Sequence, residues 1–123
     1  MRHALLFLVL AVLLFSQGCY YDSEEVLYPN SFCDTVNVTY SSTIEPIMQA
    51  RCATPACHVA SGDGTGDFST RAGVVASIEN GAFLPSIRRS PGAIPMPLLP
   101  SDPLRACDID KIEIWIAEGM PDN

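Results

Sequence analysis

Residues 51–58 read RCATPACH: Cys52 and Cys57 stand four residues apart and His58 follows the second cysteine directly. The flanks of this stretch decide the fold. Upstream, SSTIEPIMQA (41–50) carries a capping-box pattern from Ser42 to Glu45 and apolar Ile44, Ile47 and Met48 at helical spacing. Pro46 is tolerable there only because it falls in the first turn. A short helix is therefore expected to run into Cys52. Downstream, SGDGTGDFSTR (61–71) holds Gly62, Gly64 and Gly66 and reads as loop.

The remaining segments continue this alternation. TRAGVVASIENG (70–81) predicts a modest helix from Thr70 to Glu79, closed by Asn80 and Gly81. Residues 85–103 contain six prolines and predict an extended, stiff loop, neither helix nor central strand. DPLRACDIDKIEIWIAEGMP (102–121) predicts the strongest helix. Asp102 or Asp108 is its expected cap, Ile109, Ile112, Trp115 and Ile116 form its apolar stripe, and Gly119 with Pro121 stops it. The fold class is all-α: two or three helices and long irregular loops, in a chain of 123 residues that has room for one small domain. A domain of that size and composition buries too little apolar surface to stand on its core alone and needs a staple or a cofactor.

The ends set the compartment. Arg2 and His3 precede an unbroken apolar run from Ala4 to Phe15 that is too short for a spanning helix, so residues 1–18 are expected to be an export signal. FSQGC (15–19) resembles a lipobox, with Gly18 ahead of Cys19 but Ser16 where leucine is usual. That resemblance implies a lipidated Cys19 that tethers the protein to a membrane surface without embedding it. Residues 19–32, acidic through Asp22, Glu24 and Glu25, read as a flexible tether, and the domain is expected over 33–123. A formal net charge of −7 argues against nucleic acid as a partner.

Of five cysteines, Cys19, Cys33, Cys52, Cys57 and Cys107, the last four stand in an oxidising compartment, where free thiols are unusual. Cys52, Cys57 and His58 admit several chemistries. Tetrahedral zinc is poorly served by a mature chain with one histidine, adjacent to its neighbouring cysteine. A redox dithiol wants a two-residue gap after a strand. A Cys52–Cys57 disulfide in a haem-free domain and covalent haem attachment both stay open. Haem attachment needs two thiols for the porphyrin vinyls and a histidine for the iron, and here its usual two-residue gap is widened to four, with Pro55 between small Ala53 and Ala56 suiting an outward bulge. Met96, between Pro95 and Pro97, is a candidate thioether for the opposite face of such an iron, whereas Met48 and Met120 suit apolar packing.

Three stretches together, CDTVNVTYSSTIEPIMQARCATPACH (33–58), GAFLPSIRRSPGAIPMP (81–97) and CDIDKIEIWIAEGMPDN (107–123), resemble class I cytochromes c. More narrowly they resemble small exported, lipid-anchored c-type cytochromes. The resemblance covers residues 33–123 and departs from the group at the four-residue gap. It implies three or so helices wrapped around one covalent haem c, with thioether bonds at Cys52 and Cys57 and with His58 and Met96 as the two iron ligands. It also implies a disulfide between Cys33 and Cys107, worth roughly 4 kcal/mol in the chain-entropy picture.

Trp115 is then expected against the haem edge or the first helix. Arg88 and Arg89 are expected as solvent-exposed charge, with pairing to the haem propionates as the alternative. Asp63 and Asp67 lack the ligand spacing of a calcium loop, and the Asn37–Thr39 sequon carries little weight in a chain of bacterial lipoprotein type.

The function so implied is electron carriage between redox proteins by a single His/Met-ligated haem, at the periplasmic or outer-surface side of a bacterial membrane, and not enzymatic catalysis. Two alternatives remain: a haem-free, disulfide-stapled lipoprotein with a binding or structural role, and a haem peroxidase or sensor if Met96 is not a ligand.

Overall fold

The computed structural model describes residues 33–123. The expected signal (1–18), the tether (19–32) and Cys19 lie outside the described residues. Among those described, the regular structure is helical and no strand occurs.

The first helix starts earlier than the Ser42–Glu45 capping box predicts. Thr39 is its N-cap, with extended backbone and a side chain that accepts the Ser42 N–H. A π-helical turn, Tyr40–Ile44, then leads into α1, Glu45–Arg51. Pro46 gives a physical reason for the widened turn. It has no N–H for the Ser42 carbonyl, and in a regular helix its ring would press on that carbonyl. The bonds ahead of it accordingly span five residues, from the Ile44 N–H to the Thr39 carbonyl and from the Glu45 N–H to that of Tyr40.

Helix α2, Arg71–Glu79, follows its expected bounds, with the Thr70 hydroxyl accepting the Gly73 N–H and Asn80 at the C-terminus. Gly81 beyond it has φ +81°, a conformation that only glycine adopts without cost.

The proline-rich segment departs from its expectation, because its first residues are helical. Helix α3, Phe83–Ile87, contains Pro85 as its third residue, where the missing N–H has no intrahelical partner to lose. The rest of the segment is irregular.

Helix α4, Ala106–Ala117, has Arg105 at its N-cap, not Asp102 or Asp108. Asp108 sits one turn inside, nearly buried, and takes both arms of the Arg105 guanidinium at 3.0 and 3.1 Å. Burial of a carboxylate calls for such a partner.

The core lies where the π-turn and α1 cross α4. Ile44, Met48, Val74, Ile112 and Trp115 are fully enclosed. Trp115 packs on Tyr40 of the first helix, with ring centroids 5.5 Å apart, and its indole N–H donates to the Pro121 carbonyl at 3.0 Å. The chain end closes over this contact: the Asn123 side-chain oxygen accepts the Tyr40 N–H at 2.8 Å, and Arg71 donates to the Met120 carbonyl. Cys33 and Cys107 are joined by a disulfide across a sequence separation of 74, so the first described residue is fixed to the first turn of α4.

Candidate functional site: a cavity shared by Cys52, Cys57, His58 and Met96

Helix α1 ends at Arg51, and the four residues between the cysteines form a turn. The Cys57 N–H returns to the Thr54 carbonyl at 2.9 Å, Ala56 takes φ +67°, and the His58 N–H closes onto the Cys52 carbonyl at 3.2 Å. The additional residues are thus looped out, and the backbones of Cys52 and His58 remain hydrogen-bonded neighbours. Cys52 and Cys57 are free thiols, the first buried and the second exposed. Burial pushes the Cys52 thiol up to about 11 from 9.0, with the positive charge of Arg51 opposing the shift.

The glycine loop wraps this turn at backbone contact. A Cβ on Gly62 would stand 1.9 Å from the Cys57 carbonyl oxygen, and one on Gly64 would stand 2.8 Å from His58 Nδ1. The loop needs its glycines because two backbones meet there. It also delivers an acceptor: the Thr65 carbonyl lies 2.9 Å from His58 Nδ1. A carbonyl only accepts, so this bond places the ring proton on Nδ1 and leaves Nε2 with its lone pair. Phe68 stacks on the other side of the imidazole, with centroids 4.2 Å apart and planes 4° from parallel, and its own N–H donates to the His58 carbonyl. The ring is held by one hydrogen bond and one aromatic face.

Met96 reaches the same region from the proline-rich segment. Its N–H donates to the Ser86 carbonyl at 3.0 Å, which fixes it to the last turn of α3. Cys52, Cys57, His58 and Met96 all line one cavity of about 890 Å³. Its apolar wall comes from Phe68, Phe83, Ile87, Ile94, Pro97 and Leu98, and Arg51, Asp63 and Asp102 are among its polar lining residues. That volume lies within the roughly 300–1,000 Å³ of small-molecule and cofactor sites. Ile94 and Leu98, 66% and 58% exposed, present an apolar surface to solvent beside Met96.

The other sequence candidates are placed elsewhere. Met48 is in the core, and Met120 packs partly buried against it. Trp115 does not line the cavity. Arg88 pairs with Glu113 of α4 at 2.7 Å. Arg89, expected as free surface charge, instead donates through Nη2 to the carbonyls of Pro97 at 3.1 Å and Ser101 at 2.8 Å.

The residues fit a covalently held haem. One imidazole with a directed lone pair, one thioether and two free thiols border a single apolar space of cofactor size, which is the soft donor set that low-spin haem iron takes. Among the described residues no three His, Cys, Asp or Glu side chains group as a metal-ion site, so a zinc ion finds no ligand set there. Among the same residues no helix is long and apolar enough to cross a membrane. No protein-family model, curated protein or solved structure matches the chain.

Proposed function

We propose that the protein is a single-haem c-type cytochrome that carries electrons between larger redox partners. The convergence of Cys52, Cys57, His58 and Met96 on one cavity is the observation that carries this reading. These residues come from two segments far apart in sequence, and only a ligand touching both gives their meeting a chemical purpose.

In this reading Cys52 and Cys57 hold haem c through thioether bonds, and His58 Nε2 and Met96 Sδ fill the two axial positions. The group supplies reversible one-electron exchange at iron, with the thioether favouring the reduced state relative to bis-histidine ligation. The chain's own contribution is positional and dielectric. The Thr65 carbonyl orients His58 and raises its basicity as a ligand, the Ser86 carbonyl anchors Met96, and Phe68, Phe83 and Ile87 keep water from the iron's surroundings. Two strong axial ligands leave no open position for substrate, which favours a carrier over a peroxidase or sensor.

Export and lipidation at Cys19 would hold the domain at a membrane surface through the tether, on the periplasmic or outer-surface side. A redox partner would then meet it over the apolar surface of Ile94 and Leu98 beside Met96.

The test is intact mass and a pyridine haemochrome spectrum of protein from a haem-maturing host, alongside Met96→Ala. The expected result is one haem that survives denaturation and a thioether-to-iron charge-transfer band that the variant loses. An apoprotein mass with Cys52 and Cys57 oxidised to each other would replace this reading with a disulfide-stapled, haem-free lipoprotein.

A further inference from the structure

The proline-rich segment sets a backbone problem. Six prolines between residues 85 and 103 remove six N–H donors, so carbonyls of this stretch must find donors outside the usual ladders. Two arginines supply them. Arg89 Nη2 donates to the Pro97 and Ser101 carbonyls at 3.1 and 2.8 Å, and Arg51 Nη2 donates to the Asp102 and Pro103 carbonyls at 2.9 and 3.0 Å. The segment that follows Met96 is therefore strapped at both ends by guanidinium groups.

Arg89 is the nearer strap, and its main chain meets that of Met96. The N–H groups of Arg89 and Met96 both end on the Ser86 carbonyl, at 3.1 and 3.0 Å. Arg89 itself sits at φ +52°, a conformation that residues with a Cβ seldom take. One residue thus starts at the carbonyl that anchors Met96 and ends, through its side chain, on the carbonyl of the residue directly after Met96.

We propose that Arg89 is a positioning residue for Met96, holding the 97–101 segment so that the thioether stays on its side of the cavity. The inference rests on the haem-carrier reading for the role of Met96, while the strap itself is independent of haem. A planar guanidinium suits this task better than an ammonium, because its N–H groups are fixed in direction and can serve two carbonyls at once. Arg88 is the matched control: it is the adjacent arginine, yet its partner is Glu113 on α4 and not the Met96 segment.

The experiment compares Arg89→Ala, Arg89→Lys and Arg88→Ala with the parent, using amide hydrogen exchange and the ferric absorption spectrum over a pH series. In Arg89→Ala the amides of Met96 and Ser101 are expected to exchange at least about tenfold faster, as loss of two charge-assisted bonds implies. The α2 amides should be unchanged. The thioether-to-iron band should disappear at lower pH than in the parent, Arg89→Lys should restore part of both effects, and Arg88→Ala should produce neither.

Unchanged exchange at Met96 and Ser101 would overturn the proposal, whether or not haem is attached. Faster exchange with an unshifted band would overturn it too, since the strap would then be structural only. If the parent carries no haem, the preceding reading fails by its own mass measurement, and the exchange data still decide whether Arg89 holds the segment.

Discussion

His58 Nδ1 lies 2.9 Å from the carbonyl oxygen of Thr65, seven residues further along the chain. The contact fixes the tautomer of the only histidine among the described residues, and it depends on a loop whose glycines approach the Cys57–His58 backbone more closely than any side chain allows.

The approach is testable at single atoms. Gly62→Ala sets a Cβ 1.9 Å from the Cys57 carbonyl oxygen, which is backbone and cannot swing aside. A loss of about 3 kcal/mol or more is expected. Gly92→Ala has open space and pays only for its φ of +84°, a cost of about 1–2 kcal/mol. Denaturant midpoints of the two variants measure the difference, and equal losses would refute the close-packing account.

Gly64→Ala addresses the histidine directly, since its Cβ would lie 2.8 Å from His58 Nδ1. Displacement of the ring breaks the bond to Thr65. The expected outcome, read by nitrogen-15 NMR of the imidazole, is a shift from a single Nδ1–H tautomer to a mixture, accompanied by a fall in haem incorporation.

Removal of the disulfide by Cys33→Ser with Cys107→Ser should cost about 2–5 kcal/mol, because the bond closes a sequence separation of 74 residues in a domain with few long helices. Thermal melts of the parent with and without reductant should reproduce the loss. A melting temperature indifferent to reductant would show that the helices and chain-end clasp suffice.

Protein with both site thiols free should lose stability at high pH through Cys52. Below pH 9 the folded and unfolded chains both carry the neutral thiol, and the contribution is fully present. As pH rises from about 9.0 through about 11, the unfolded chain ionises while burial keeps the folded thiol protonated, so stability falls, by an amount on the order of 2 kcal/mol. Alkylation should reach exposed Cys57 before buried Cys52 at neutral pH. Thioether formation at Cys52 abolishes both effects, which makes this a second measure of covalent attachment.

Trp115→Phe removes the indole N–H that Pro121 accepts while keeping an aromatic against Tyr40. A loss of about 1–2 kcal/mol is expected, against about 3–5 kcal/mol for Trp115→Ala, and chemical denaturation separates the two.

Helix positions were legible in the local pattern. Thr70 with the apolar spacing behind it gave α2, and Ile109, Ile112 and Trp115 gave α4, because a helix needs only its own stripe, cap and stop to be recognised. Helix starts were less legible. Thr39 and Arg105 hold positions that Ser42, Asp102 and Asp108 matched as well by residue type, and the choice was made by contacts with Asn123 and Arg105 that are remote in sequence or invisible to spacing. Pro85 was misread because six prolines were weighed as one block, although each excludes helix only beyond its first turn.

The sequence by itself determined the chemistry on offer: two thiols and an imidazole in eight residues, a proline-flanked thioether, helical class and net charge are properties of composition and short spacing. Only the tertiary structure decided that these groups share a cavity, that the long gap between Cys52 and Cys57 folds out as a turn, and that Arg89 and Arg51 hold the segment after Met96. The reason is physical. Donor type and period-3.6 patterning are local, whereas the partner of a carbonyl in a proline-rich loop is whichever donor the packed chain brings within 3 Å, and that is settled by the fold as a whole.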